Sequence, residues 1–120
     1  MKLFIRSVIA VLFLAALTLP AFAQGPRLAI KIGAPSSKCF PITIKNLQTS
    51  PLTATAAYLV VFDQTNCKRT CESKIAVNKA VGPCETYSFR ICCSGTLPPK
   101  YVAYVRIPYS GGYNESFLVN

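Results

Sequence analysis

From Arg27 to Val119 the chain is built of short runs rich in β-branched and aromatic residues, broken by Pro, Gly, Asn and Ser every 8 to 12 residues or so. This rhythm excludes long helices and points to strands that each bury one face. In Arg27–Ile32, Leu28, Ile30 and Ile32 share one parity and Arg27 and Lys31 the other. In Cys39–Lys45, Phe40, Ile42 and Ile44 are predicted inside and Thr43 and Lys45 outside. Pro41 has no amide hydrogen to donate, so it belongs at an edge or near a strand start. A longer run, Leu52–Phe62, ends where Asp63-Gln64-Thr65-Asn66 turns the chain.

Residues 71–81 are readable two ways. Ile75, Val77 and Val81 alternate as in a strand, whereas Cys71, Ile75, Ala76 and Ala80 fit a helical turn. Gly82-Pro83 then leads into Tyr87–Ile91, Leu97-Pro98-Pro99-Lys100 into Tyr101–Ile107, and Pro108–Tyr113 into Ser116–Val119. About seven short strands and no long helix fit one all-β domain, an immunoglobulin-like or fibronectin type III-like β-sandwich.

Three pieces in order, Ile42-Thr43-Ile44-Lys45-Asn46, Val81-Gly82-Pro83-Cys84-Glu85-Thr86-Tyr87-Ser88-Phe89 and Tyr101-Val102-Ala103-Tyr104-Val105 with Asn114-Glu115-Ser116, resemble the cell-adhesion-related (CARDB-type) immunoglobulin-like modules of secreted bacterial proteins. The second piece carries Cys84 where that family habitually has Gly after the Pro. The resemblance implies an extracellular or periplasmic binding or structural module without catalytic residues, and it transfers no site.

The amino terminus reads as a signal peptide over residues 1–23. Lys2 and Arg6 precede an apolar run from Val8 to Leu19, and Ala21-Phe22-Ala23 is a small-x-small cleavage site. The expected mature domain is therefore residues 24–120, secreted or periplasmic, with no later run long enough to span a membrane. All six cysteines, Cys39, Cys67, Cys71, Cys84, Cys92 and Cys93, lie in it, where an oxidising compartment favours disulfides over metal or redox chemistry. In a sandwich the strand beginning at Cys39 runs antiparallel to Tyr87–Ile91, so Cys39 is expected to pair with Cys92 or Cys93. Cys67, Cys71 and Cys84 are then left to staple the middle loops.

Enzyme chemistry is poorly provided for. The chain has no His, and Asp63, Glu72, Glu85 and Glu115 are its only acidic side chains, so no triad, His-based metal site or close carboxylate pair is legible. No catalytic residue, cofactor or metal is expected. Without Lys2 and Arg6, the remaining 11 of 13 cations face 4 carboxylates, a surplus suited to an anionic partner. Those cations form no run longer than Lys68-Arg69 and accompany no nucleic-acid-binding signature, so a protein or an anionic polysaccharide is the expected partner rather than nucleic acid.

Two contact surfaces are predicted. The run Tyr58–Phe62 is apolar at both parities, and an outward patch of Leu59, Val61, Val102 and Tyr104 rimmed by Arg106 is expected to meet a partner. The loop Tyr109-Ser110-Gly111-Gly112-Tyr113-Asn114 has the Tyr, Ser and Gly composition of antibody-like paratopes, with Tyr109 and Tyr113 as anchors. Asn114-Glu115-Ser116 also spells a glycosylation sequon. The leading expectation is a secreted, non-catalytic binding or structural module. The rival is a small cationic, cysteine-rich effector or toxin acting on membranes or host targets.

Overall fold

The computed structural model describes residues 26–120; the signal-peptide expectation lies outside the described residues. Seven strands follow in order: β1 (Leu28–Ile32), β2 (Cys39–Asn46), β3 (Leu52–Asp63), β4 (Arg69–Val81), β5 (Thr86–Cys92), β6 (Tyr101–Tyr109) and β7 (Gly112–Val119). They form two antiparallel sheets, β1-β2-β5 and β4-β3-β6-β7. The fourth strand joins the sheet of β3, β6 and β7. A constant-type immunoglobulin domain instead puts its fourth strand with the first, second and fifth, so the arrangement is of the fibronectin type III-like kind. No helix of the described residues is long and apolar enough to cross a membrane.

Residues 71–81 are strand. The pairing of β4 with β3 runs from Leu52↔Val81 to Phe62↔Arg69, interrupted by irregularities at Ala54/Ala56 and Val61/Phe62. Such a ladder satisfies backbone groups that a short helical turn would leave open at both ends.

The core lies between the sheets. Phe40, Ile42 and Ile44 of β2 and Ile91 of β5 face Ala57, Leu59 and Val61 of β3 and Ala103, Val105 and Ile107 of β6, all essentially inaccessible. The Phe40 and Tyr101 rings meet edge to face across this gap, centroids 5.9 Å apart. Asn46 is the one buried polar side chain among the described residues.

Leu59 and Val61 therefore do not face outward as the sequence suggested; both are fully buried. Leu59 pairs with Val105 and Val61 with Ala103, and paired residues on adjacent strands share a sheet face. Since Val105 and Ala103 point inward, Leu59 and Val61 must as well. The outward parity of β3 belongs to Tyr58, Val60 and Phe62.

Two disulfides close one end of the sandwich. Cys39–Cys92 joins β2 to β5 within a sheet, and Cys71–Cys93 joins β4 to the end of β5 across the sheets. Neighbours in the chain, Cys92 and Cys93 point to opposite sides, Cys92 outward and Cys93 into the core. Ser73 Oγ adds a bond to the Cys92 carbonyl at 2.6 Å. Gly95 passes so close to β4 that a Cβ there would stand 2.5 Å from the Thr70 carbonyl oxygen.

Cys39 thus takes one of its two expected partners, whereas the stapling of middle loops by Cys67, Cys71 and Cys84 does not occur. Cys67 and Cys84 are exposed free thiols. They lie beyond opposite ends of the 13-residue β4, about 40 Å of extended chain apart, so they cannot reach each other.

Candidate functional site

The outer face of the four-stranded sheet is a grid set by strand register. One row runs Lys74, Tyr58, Arg106, Glu115; the next Glu72, Val60, Tyr104, Phe117; the third Arg69, Phe62, Val102, Val119. The middle columns are aromatic or aliphatic apart from Arg106. Charged residues stand mostly at the margins. Among the large hydrophobic residues, Phe117 is 59% exposed, Tyr113 51% and Val119 66%, and all three belong to β7.

Cations lie over rings across this face. The Arg106 guanidinium carbon is 5.5 Å from the Tyr58 centroid and 5.1 Å from that of Tyr113, and Lys74 Nζ is 5.4 Å from Tyr58. Arg69 lies 6.0 Å from the Phe62 centroid and is ion-paired to Glu72. The ring quadrupole orients each cation; the N–H donors of Lys74 and Arg106 stay available to a ligand, whereas Arg69 already gives Nη1 to Glu72. An open depression of about 590 Å³ lies over Tyr58 and Val60, with Lys74, Tyr104 and Arg106 in its lining.

Tyr104 is held at the centre. Its ring packs on Phe117 with centroids 5.1 Å apart, and its hydroxyl donates to Glu115 Oε1. Burial first, then the hydrogen bond to Glu115 and that carboxylate's charge, push its pKa up to about 12, against a nearby Arg106 that pulls the other way. The hydroxyl is therefore a neutral, directed donor at every physiological pH.

Of the residues predicted to make contacts, Val102, Tyr104, Arg106 and Tyr113 fall together on this face, whereas Leu59 and Val61 lie beneath it. Tyr109 also leaves the predicted loop surface. It is only 8% exposed, and its hydroxyl donates to Asn114 Oδ1 at 2.8 Å. The same oxygen accepts the Leu28 amide at 2.9 Å, so Asn114 ties the β6–β7 hairpin to β1. Tyr109 pairs with Gly112 across a two-residue loop in which Gly111, at φ +95°, takes the left-handed conformation. The hairpin is a tight structural turn rather than an adaptable loop. The sequence reading missed Tyr58, Val60, Phe62 and Phe117; the signal that finds the first three is the partnership of β3 with the inward parity of β6, and Phe117 follows from its pairing with Tyr104.

Each carboxylate is engaged locally. Asp63 accepts from the Thr65 amide and hydroxyl at 2.9 and 2.7 Å, which holds its carboxyl below the usual range; Glu72 pairs with Arg69, Glu85 accepts the Gly82 amide at 2.8 Å, and Glu115 accepts from Tyr104.

Neither a protein-family model nor a curated protein matches the chain. Among solved structures, it is similar to the X-ray structure of the Northeast Structural Genomics Consortium target SoR45, with a TM-score of 0.51 and 18% identity over 78% of this chain and 81% of that one. A crystal structure of a protein from Archaeoglobus fulgidus aligns with 78% of this chain and 94% of its own at 10% identity and a TM-score of 0.38. The first of these likenesses concerns the fold alone.

Proposed function

We propose that the protein is an exported, non-catalytic binding module that recognises a protein partner through the outer face of its four-stranded sheet. The observation that carries this reading is the block of Tyr58, Val60, Phe62, Val102, Tyr104, Phe117 and Val119, with Arg106 held between Tyr58 and Tyr113. Aromatic residues and Arg are the side chains that dominate binding energy at protein interfaces. Here they are positioned by strands and by one another, so little side-chain entropy is lost on contact. The partner surface that fits brings apolar side chains to the Tyr104–Phe117 stack and a carboxylate to Arg106. Export is supported by the signal-peptide pattern and by the two disulfides. The separate local bonds of the four carboxylates, and the lack of His, support a role without turnover.

Photo-cross-linking from the two sides of the sandwich tests the reading. A cross-linker at Phe117 or Val60 is expected to trap a discrete protein adduct in the native compartment, and one at Thr43 on the other sheet is not. Arg106→Ser should abolish the adduct without changing the melting profile. Equal trapping from both faces, or trapping from neither, refutes the assignment.

A further inference from the structure

The outer face of the β1-β2-β5 sheet has a different chemistry. Its register lines up Ala29, Lys45 and Thr86 in one row, Lys31, Thr43 and Ser88 in the next, and Pro41 and Arg90 in the third. Lys31, Lys45 and Arg90 are all exposed, and no Asp or Glu occurs in any of these three strands. The cations enclose a pair of hydroxyls, Thr43 Oγ1 and Ser88 Oγ, 3.1 Å apart. Arg90 is steadied by a bond from Nη2 to the Ser36 carbonyl at 3.3 Å, and none of the three cations is ion-paired among the described residues. From strand spacing and rise, their backbones stand about 8 Å (Lys31 to Lys45), 12 Å (Lys31 to Arg90) and 14 Å (Lys45 to Arg90) apart.

We infer that this face is a docking site for an anionic polysaccharide, distinct from the aromatic face on the opposite sheet. Three cations spread across three strands, with no carboxylate among them, suit anionic groups repeated along a chain. The hydroxyl pair between them offers hydrogen bonds to sugar hydroxyls. Charge complementarity is one-sided, because the strands supply cations and no carboxylate to compete for them. An anionic bilayer fits less well: the apolar side chains here are Ala29 and Pro41, and neither is a group that anchors a protein surface in the acyl boundary. The sequence hides the site because Lys31, Lys45 and Arg90 lie far apart along it.

The oxidised protein is tested on immobilised heparin, a sulfated polysaccharide, beside neutral dextran and phosphatidylglycerol vesicles. Retention on heparin, no binding to dextran and loss of retention at high salt are expected, because exposed charge pairs are screened. The triple variant Lys31→Ser, Lys45→Ser, Arg90→Ser should lose about tenfold or more in affinity. Two comparisons isolate the face. Arg69→Ser, Lys74→Ser, Arg106→Ser, with the same change in net charge on the other sheet, should lose less than about threefold, and Lys31→Arg, Lys45→Arg, Arg90→Lys should retain binding. Equal losses in the two Ser triples would mean net charge alone is sensed and would overturn the site. Tighter binding to the vesicles, through the same three residues, would overturn the polysaccharide assignment.

Discussion

The side-chain amide of Asn46 donates from Nδ2 to the Val81 carbonyl at 2.9 Å, fastening the end of β2 to the end of β4 in the opposite sheet. The same nitrogen reaches the Ser50 carbonyl at 2.8 Å, and Oδ1 accepts the Gln48 amide at 2.8 Å. Backbone bonds from Asn46 N to the Glu85 carbonyl and from Cys84 N to the Asn46 carbonyl complete the corner. One fully buried residue thus ties the β2–β3 and β4–β5 loops together at the end of the sandwich away from the disulfides.

Asn46→Leu is isosteric enough to fill the site but strands the carbonyls and amide that Asn46 satisfies. A buried polar group without a partner costs about 1 to 3 kcal/mol, and the bond to Val81 is buried while those to Ser50 and Gln48 are part-buried, so a loss of about 3 kcal/mol in unfolding free energy is expected from denaturant titration of the oxidised protein. A change under about 0.5 kcal/mol would show that water takes over these bonds.

Tyr104 sets an alkaline limit. Its folded pKa, pushed up to about 12, exceeds the ordinary 10.0 of the unfolded chain, so the folded state retains a proton that the unfolded state releases. The stability this contributes is complete below pH 10 and is lost as pH rises toward 12. Tyr101 and Tyr109 are also raised by burial, so tyrosine ionisation followed at 295 nm should lag behind that of the unfolded chain. Tyr104→Phe should remove the last step of that titration. Glu115→Gln should bring the same step to lower pH, because it removes the negative charge that opposes the phenolate. An unchanged last step in Glu115→Gln would show that the Tyr104–Glu115 bond does not form in solution.

The cysteines divide into two classes. Cys67 and Cys84 should react with a thiol reagent in the folded, oxidised protein, giving two modified thiols per chain, and Cys67→Ser with Cys84→Ser should leave the fold intact. Replacing Cys39 and Cys92, which enclose a separation of 53 residues, is expected to cost about 4 kcal/mol, and replacing Cys71 and Cys93, 22 apart, about 3 kcal/mol. The two loops overlap, so the costs will not add. Peptide mapping that finds Cys67 or Cys84 in a bridge within one chain would contradict this division.

Much of the architecture is local and therefore legible. Alternation in β1, β2 and β5 assigns Leu28, Ile42, Ile44 and Ile91 to the core without reference to any other strand, because a strand's side chains alternate by geometry alone. The antiparallel course of β2 and β5 is enough to bring Cys39 near Cys92. Alternation fails where both parities are apolar. In Tyr58–Phe62 the chain itself does not distinguish Leu59 and Val61 from Tyr58, Val60 and Phe62.

What the amino-acid sequence determined by itself is the predominance of short strands and the buried parity of those with one polar face. What only tertiary structure decided is everything that depends on a neighbour. Pairing with Val105 and Ala103 sends Leu59 and Val61 inward, and pairing with β3 makes β4 a strand. Cys67 and Cys84 remain unbridged because β4 holds them apart, and Lys31, Lys45 and Arg90 share one face because β1, β2 and β5 are adjacent. The physical reason is that a residue's own sequence neighbours constrain its backbone, whereas its burial, its charge environment and its covalent partner depend on which strand the register sets beside it.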